Sequence, residues 1–141
     1  MLVSQVLTAK GEAVFTTTPL ETLEAAASKM FARNIGSLVV TEAEQVVGLI
    51  SERDVVRAVA QHGEPGLRGP VSAFMTPDVQ VAAPSDTVDA ILARMTDRRI
   101  RHLPVCEAGR LLGLVSIGDL VKARIAETTA EAESLRAYIA S

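Results

Sequence analysis

Apolar and polar positions along the chain switch between a period of two and a period of 3.6, and they do so twice in the same order. In the first pass, Val14-Phe15-Thr16-Thr17 has the β-branched and aromatic make-up of a short strand. Leu20, Leu23, Ala27, Met30 and Phe31 then recur at helical spacing and predict one apolar stripe on a helix ending near Arg33. Thr18-Pro19-Leu20-Glu21 has the residues of a helix start, with Thr18 as N-cap, Pro19 at the first helical position and Glu21 three residues after the cap. Asn34-Ile35-Gly36 breaks the pattern. Residues 37–40 read as a buried strand, 42–45 as a polar hairpin turn, 46–50 as the returning strand, and 52 to about 61 as a second helix. Ahead of this unit, residues 1–8 form a helical or extended lead-in and Lys10-Gly11-Glu12 a turn.

The second pass predicts a strand over 79–82, a helix over about 85–98 capped by Ser85, a strand over 103–106, a turn at 107–110, a strand over 111–116 and a helix from about 117. Beyond Ala123 the chain stays helix-forming through Tyr138 and has no counterpart in the first pass, so a packing or dimer-contact helix is expected there. After the first pass comes instead the Gly/Pro-rich stretch 62–70. The expected boundaries are 1–64 for the first unit, 65–70 for a linker, 71–126 for the second unit and 127–141 for a helical extension.

The two passes are copies. Gly48, Ser51 and Asp54 recur as Gly113, Ser116 and Asp119, each 65 residues on, and the same displacement maps Met30 onto Met95 and Leu38 onto Leu103. Upstream, Val3-Ser4 and Leu7-Thr8 match Val71-Ser72 and Met75-Thr76 at 68 residues, so three extra residues fall within Ala9 to Ala13. Units of about 70 residues sit near the lower limit for an independent core. The fold class expected is therefore α/β of the α+β type, two β-α-β-β-α units packed with pseudo-two-fold symmetry.

Composition narrows function. With 48% hydrophobic and 22% charged residues, the 141-residue chain is ordinary globular protein. A net charge of −3 and 3% aromatics argue against a nucleic-acid surface, which needs a basic field and stacking platforms. One cysteine, Cys106, excludes an internal disulfide and any CxxC metal or redox motif; its strand context makes it buried filler. No apolar run is long enough for a bilayer, and Met1-Leu2-Val3-Ser4-Gln5 lacks a signal peptide's basic stretch, so a cytoplasmic location without membrane contact is the default expectation. No P-loop, metal-ligand spacing or catalytic-triad context is present, so no catalytic residue, resident metal or catalytic cofactor is expected, and no enzyme activity.

The candidate chemistry lies where strand meets helix. Ser51 and Ser116 stand at helix amino termini, whose free N–H groups and positive dipole end receive anions. Asp54 and Asp119, in the first helical turn, are acceptors of the kind that take ribose hydroxyls in dinucleotide folds, and Arg53 is placed to reach a phosphate. Ser-x-x-Asp is also close to a capping box that merely satisfies the helix's own N–H groups; one corner can do both. A second cluster, Arg98-Arg99-Ile100-Arg101-His102, supplies planar guanidinium forks suited to phosphate oxygens, although Arg98 reads as a solvated helix end.

Gly-hydrophobic-hydrophobic-Ser-x-x-Asp at 48–54 and 113–119, Arg99 to Val105, and Met75-Thr76-Pro77 together resemble a tandem pair of CBS (cystathionine β-synthase) domains, the arrangement called a Bateman module. The resemblance covers nearly the whole chain. It implies a regulatory module that binds AMP, ADP, ATP, NAD or S-adenosylmethionine in clefts between paired units, commonly as a homodimer. No enzyme, channel or transporter domain accompanies the pair, so a stand-alone module acting on an unknown protein target in trans is expected. By the same resemblance, site one combines Ser51, Arg53 and Asp54 with Val81, Ile100, Arg101 and His102, Ile100 supporting adenine and Arg101 and His102 approaching phosphate. Site two combines Ser116 and Asp119 with Thr16, Thr18, Ile35, Gly36 and Ser37. Site one, richer in cations, is expected to take a phosphorylated ligand and site two to be weaker or to prefer a less charged adenosine compound. The competing expectation is a ligand-free scaffold acting through dimerisation and the carboxy-terminal helix.

Overall fold

The structure, a computed structural model, describes residues 1–11 and 14–140. In chain order it contains α1 (Val3–Lys10), β1 (Thr16–Thr17), α2 (Leu23–Arg33), β2 (Ser37–Glu42), β3 (Gln45–Ser51), α3 (Glu52–His62), β4 (Thr76–Pro77), α4 (Val88–Arg98), β5 (His102–Glu107), β6 (Arg110–Ser116) and α5 (Ile117–Ala140). The mixed α/β class expected from the two periods is what forms. The turn expected at Lys10-Gly11-Glu12 lies partly outside the described residues.

Two compact units result, and neither follows chain order. One gathers α1, Val81–Cys106 and the stretch from Gly113 through α5; the other gathers β1 through Gln80 and the hairpin tip Glu107–Leu112. Each copy has thus given its lead-in to the unit built on the other copy. Val3 donates its N–H to the Asp86 carbonyl and Ser4 to the Pro84 carbonyl, while Val71 and Ser72, the matching residues, donate to Glu21 and Pro19. Val3 is buried with Ile91, Met95 and Leu103 in one core, and Val71 with Leu23, Met30 and Leu38 in the other. The expected linker, 65–70, opens within a 3₁₀ turn over Glu64–Arg68, and Gly69 just beyond it accepts the Leu23 N–H at 2.9 Å.

The glycine of each repeated motif is explained by this exchange. A Cβ on Gly48 would lie 2.5 Å from the Met75 sulfur and 3.0 Å from the Thr76 carbonyl oxygen; one on Gly113 would lie 2.7 Å from Leu7 Cδ2. Leu7 and Met75 are the matching lead-in residues, so each glycine clears the path along which a lead-in crosses its strand.

The second unit holds a four-stranded sheet in the order β1-β2-β3-β4, with β1 parallel to β2 and the other pairs antiparallel. Strands β2 and β3 pair Ser37 with Ser51 and turn through Ala43 and Glu44, both at positive φ as a two-residue hairpin needs. Strands β5 and β6 form the corresponding hairpin of the first unit.

Several local expectations are corrected. Thr18 does not cap α2: Thr22 does, its hydroxyl accepting the Ala25 N–H at 3.1 Å, and Thr87 rather than Ser85 caps α4 by the same bond to Ala90. The Pro-containing stretches before them are turns, so each helix starts a turn later than its first plausible cap. Leu20 therefore lies outside the helix and is 87% exposed, and Phe31 is 90% exposed; Leu23, Ala26 and Met30 form the buried stripe. No strand forms over 79–82, where Ala82 makes a single parallel bridge to Val105. The strand expected over 14–17 is reduced to Thr16–Thr17.

Candidate functional site

Both Ser-x-x-Asp corners fold as capping boxes. Strand β3 ends at Ser51 in extended conformation, and the Ser51 hydroxyl accepts the Asp54 N–H at 3.4 Å. In return Asp54 Oδ2 accepts the Ser51 N–H at 2.8 Å and the Ser51 O–H at 3.0 Å. Asp54 is only 7% exposed, and its Oδ1 meets Arg57 Nη1 at 3.5 Å, the outer limit of a hydrogen bond. Arg57, one turn further along α3, is thus the cation at this carboxylate, while Arg53, the cation expected from the sequence, is exposed on the first turn.

At the other corner, Asp119 Oδ2 accepts the Ser116 N–H at 2.9 Å, and the Ser116 hydroxyl accepts the Asp119 N–H at 3.0 Å. A second missed cation appears here. Lys10, the last residue of α1, places Nζ 2.7 Å from Asp119 Oδ2 and 2.8 Å from the Leu114 carbonyl oxygen. Burial alone pushes the Asp119 carboxyl up. The hydrogen bonds from Lys10 and from the Ser116 backbone, with the Lys10 charge, outweigh it and hold the group below the ordinary aspartate range. Lys10 lies inside the Ala9–Ala13 stretch where the repeat breaks, so matching the copies could not flag it.

The remaining candidate residues sort by unit. Thr16, Thr18, Ile35, Gly36 and Ser37 belong to the unit of Ser51 and Asp54; Val81, Ile100, Arg101 and His102 belong to the unit of Ser116 and Asp119. Within each unit the helix amino terminus is tied to the residue just before the first strand of the hairpin, β2 or β5. Glu52 donates its N–H to the Gly36 carbonyl at 3.0 Å, and Ile117 to the Arg101 carbonyl at 2.8 Å. Ser37 is buried, while Ile35 and Ile100 are half-buried against their cores. Arg101 and Thr18 are exposed, His102 is half-buried, and the 41%-exposed Val81 accepts a hydrogen bond from Arg94 at 3.0 Å.

Beside Thr16, the buried hydroxyl is that of Thr17, donating to Glu21 at 2.6 Å. Lys29 bonds the same carboxylate at 2.8 Å and the Thr16 carbonyl at 3.3 Å. The Lys29 bond first, then the Thr17 bond, lower the Glu21 pKa. Cys106 is half-buried, and burial raises its thiol pKa, which disfavours a reactive thiolate. Among the described residues no helix is long and apolar enough to cross a membrane.

The sequence profile of the CBS domain matches residues 3–61 and 71–126. The chain belongs to the CBS domain family. Its two CBS copies form a tandem pair, an arrangement that is commonly regulatory. A solved CBS-domain-containing protein of Agrobacterium tumefaciens is 43% identical, with a TM-score of 0.84 over 88% of this chain and 99% of that one. An uncharacterized 17.7 kDa protein of Acidianus ambivalens is 39% identical over 86% of this chain and 71% of its own length. At 23% identity, the CBS domain pair of protein MJ0100, solved with 5-methylthioadenosine and S-adenosyl-L-methionine, shares the fold, with a TM-score of 0.80 over 90% of this chain and 98% of that one.

Proposed function

We propose that this CBS pair is a regulatory, non-catalytic module that binds an adenosine-containing ligand, with AMP, ADP or ATP preferred, and holds the ribose at Asp54. One observation carries the reading. The Asp54 carboxylate is fixed by two hydrogen bonds to Ser51, both on Oδ2, which leaves Oδ1, loosely met by Arg57, to accept a ribose hydroxyl. A neutral diol suits an acceptor held in this way, and Arg57 and Arg53 on the same helix supply charge for phosphate. Asp119 is the weaker candidate because Lys10 pairs with its carboxylate at 2.7 Å, closer than Arg57 stands to Asp54 at 3.5 Å. MJ0100, a protein of the same fold, holds two adenosine compounds, which supports the ligand class without choosing the member.

A thermal-shift screen with AMP, ADP, ATP, NAD, S-adenosylmethionine and adenosine tests this. A ligand at 100 times its Kd adds about 2.7 kcal/mol and moves the midpoint by several degrees. At least one adenosine compound should do so, and GTP should not. Indifference to the whole panel would leave the scaffold reading in its place.

A further inference from the structure

The segments that open the two copies, around Thr16 and Val81, receive little from sheet pairing. Strand β1 is two residues long, and in the second copy Ala82 alone bridges a strand. A side chain clasps each segment instead. Lys29 of α2 donates to the Thr16 carbonyl at 3.3 Å and to Glu21 at 2.8 Å. Arg94 of α4 donates to the Val81 carbonyl at 3.0 Å and stands 3.9 Å from Asp86. The carboxylate then closes the clasp: Glu21 accepts the Thr17 hydroxyl at 2.6 Å, and Asp86 the Ala83 N–H at 2.8 Å.

Thr16, Glu21 and Lys29 are matched by Val81, Asp86 and Arg94 in the second copy, so all three residue types change while both charges and the bond to the carbonyl are kept. Stability is a small part of what they supply, because the paired side chains are between 31% and 42% exposed and water screens them. What the clasp supplies is position, for residues that a short strand and a single bridge hold loosely. We propose that Lys29 and Arg94 are positioning residues for ligand binding, each fixing the backbone of Thr16 or Val81 before the adenosine compound arrives. The inference rests on the adenosine-binding reading and on Thr16 and Val81 as members of its sites. An unclasped segment has to be ordered by the ligand, and ordering one residue's backbone costs about a tenfold loss of affinity.

Titration calorimetry of the full chain with AMP, alongside urea denaturation, compares Lys29→Met and Arg94→Met with the exchanges Lys29→Arg and Arg94→Lys. In one or both methionine variants, according to the site AMP fills, affinity should fall about tenfold while the urea midpoint stays nearly unchanged. The exchanges, each taken from the other copy, should restore most of the affinity. Hydrogen exchange over 16–18 or 81–83 should quicken in the affected variant without ligand and return to the wild-type rate in saturating AMP, which a merely structural role would not produce. Wild-type affinity in both methionine variants, or a loss that the exchanges share, would overturn the proposal. A wild type indifferent to AMP and to every other adenosine compound would overturn the reading on which it rests, and the proposal with it.

Discussion

Replacing Lys10 by methionine keeps most of the side-chain stem that lies along α1 and removes one ammonium group from two acceptors, Asp119 Oδ2 at 2.7 Å and the Leu114 carbonyl at 2.8 Å. The side chains of the ion pair are 38% and 26% exposed, so screening by water limits the pair to about 0.5–1 kcal/mol. The carbonyl contact adds a few tenths more, because a freed carbonyl at this exposure regains water. A total near 1 kcal/mol lowers the midpoint of a chain this size by about 4 °C at neutral pH. The pH dependence distinguishes the charge pair from simple packing. The folded-state pKa of Asp119 is depressed, so its contribution is fully present above the unfolded-state value of about 3.9 and is lost as pH falls through the lower folded value. Urea denaturation of wild type and Lys10→Met at a series of pH values should show a gap that is widest at pH 7 and narrows on acidification. A gap of constant size across that range, or none at pH 7, would refute the assignment of Lys10 to Asp119.

Two further stability tests follow from the local geometry. Thr22→Ala and Thr87→Ala should each cost about 1 kcal/mol in urea denaturation, the usual effect of losing an N-cap, whereas Thr18→Ala and Ser85→Ala should stay within about 0.5 kcal/mol. Gly48→Ala should destabilise more than Gly113→Ala, by about 1 kcal/mol or more. Its Cβ meets a backbone oxygen as well as the Met75 sulfur, while the nearest contacts of Gly113 are the ends of the flexible Leu7 side chain. Equal losses at the two glycines would mean that the lead-ins are not held as described.

Much of the fold was legible because it is written locally and twice. The repeat fixed the helices, the hairpins and the two Ser-x-x-Asp corners, and the capping chemistry at Ser51 and Ser116 follows from residue type alone. Cap choice was not legible from type. Thr18 and Thr22 both precede apolar helical spacing, as Ser85 and Thr87 do, and the turns through Pro19 and Pro84 decide between them. The burial stripe shifted with the helix start, which is how Leu20 and Phe31 came to lie in water. The exchange of lead-ins is a long-range event with no local signature except its glycines. Lys10 reaches Asp119 only because α1 packs into the unit built on the second copy, across more than one hundred residues of sequence, and no spacing rule anticipates such a contact.

The most direct test of ribose binding at Asp54 is isothermal titration of AMP into the wild type and into Asp54→Asn. Asparagine keeps an acceptor oxygen for the Ser51 cap, so the variant should fold with nearly unchanged stability. With its oxygen on the Ser51 cap it presents an NH2 group in place of Oδ1 and loses the charge, so the acceptor offered to the ribose is gone, each hydrogen bond to a charged group being worth about 1.5–3 kcal/mol. The account predicts saturable AMP binding to the wild type that weakens at least about tenfold in Asp54→Asn. Equal affinity in the two proteins, or no heat from AMP in a wild type shown to be free of bound ligand, would contradict it.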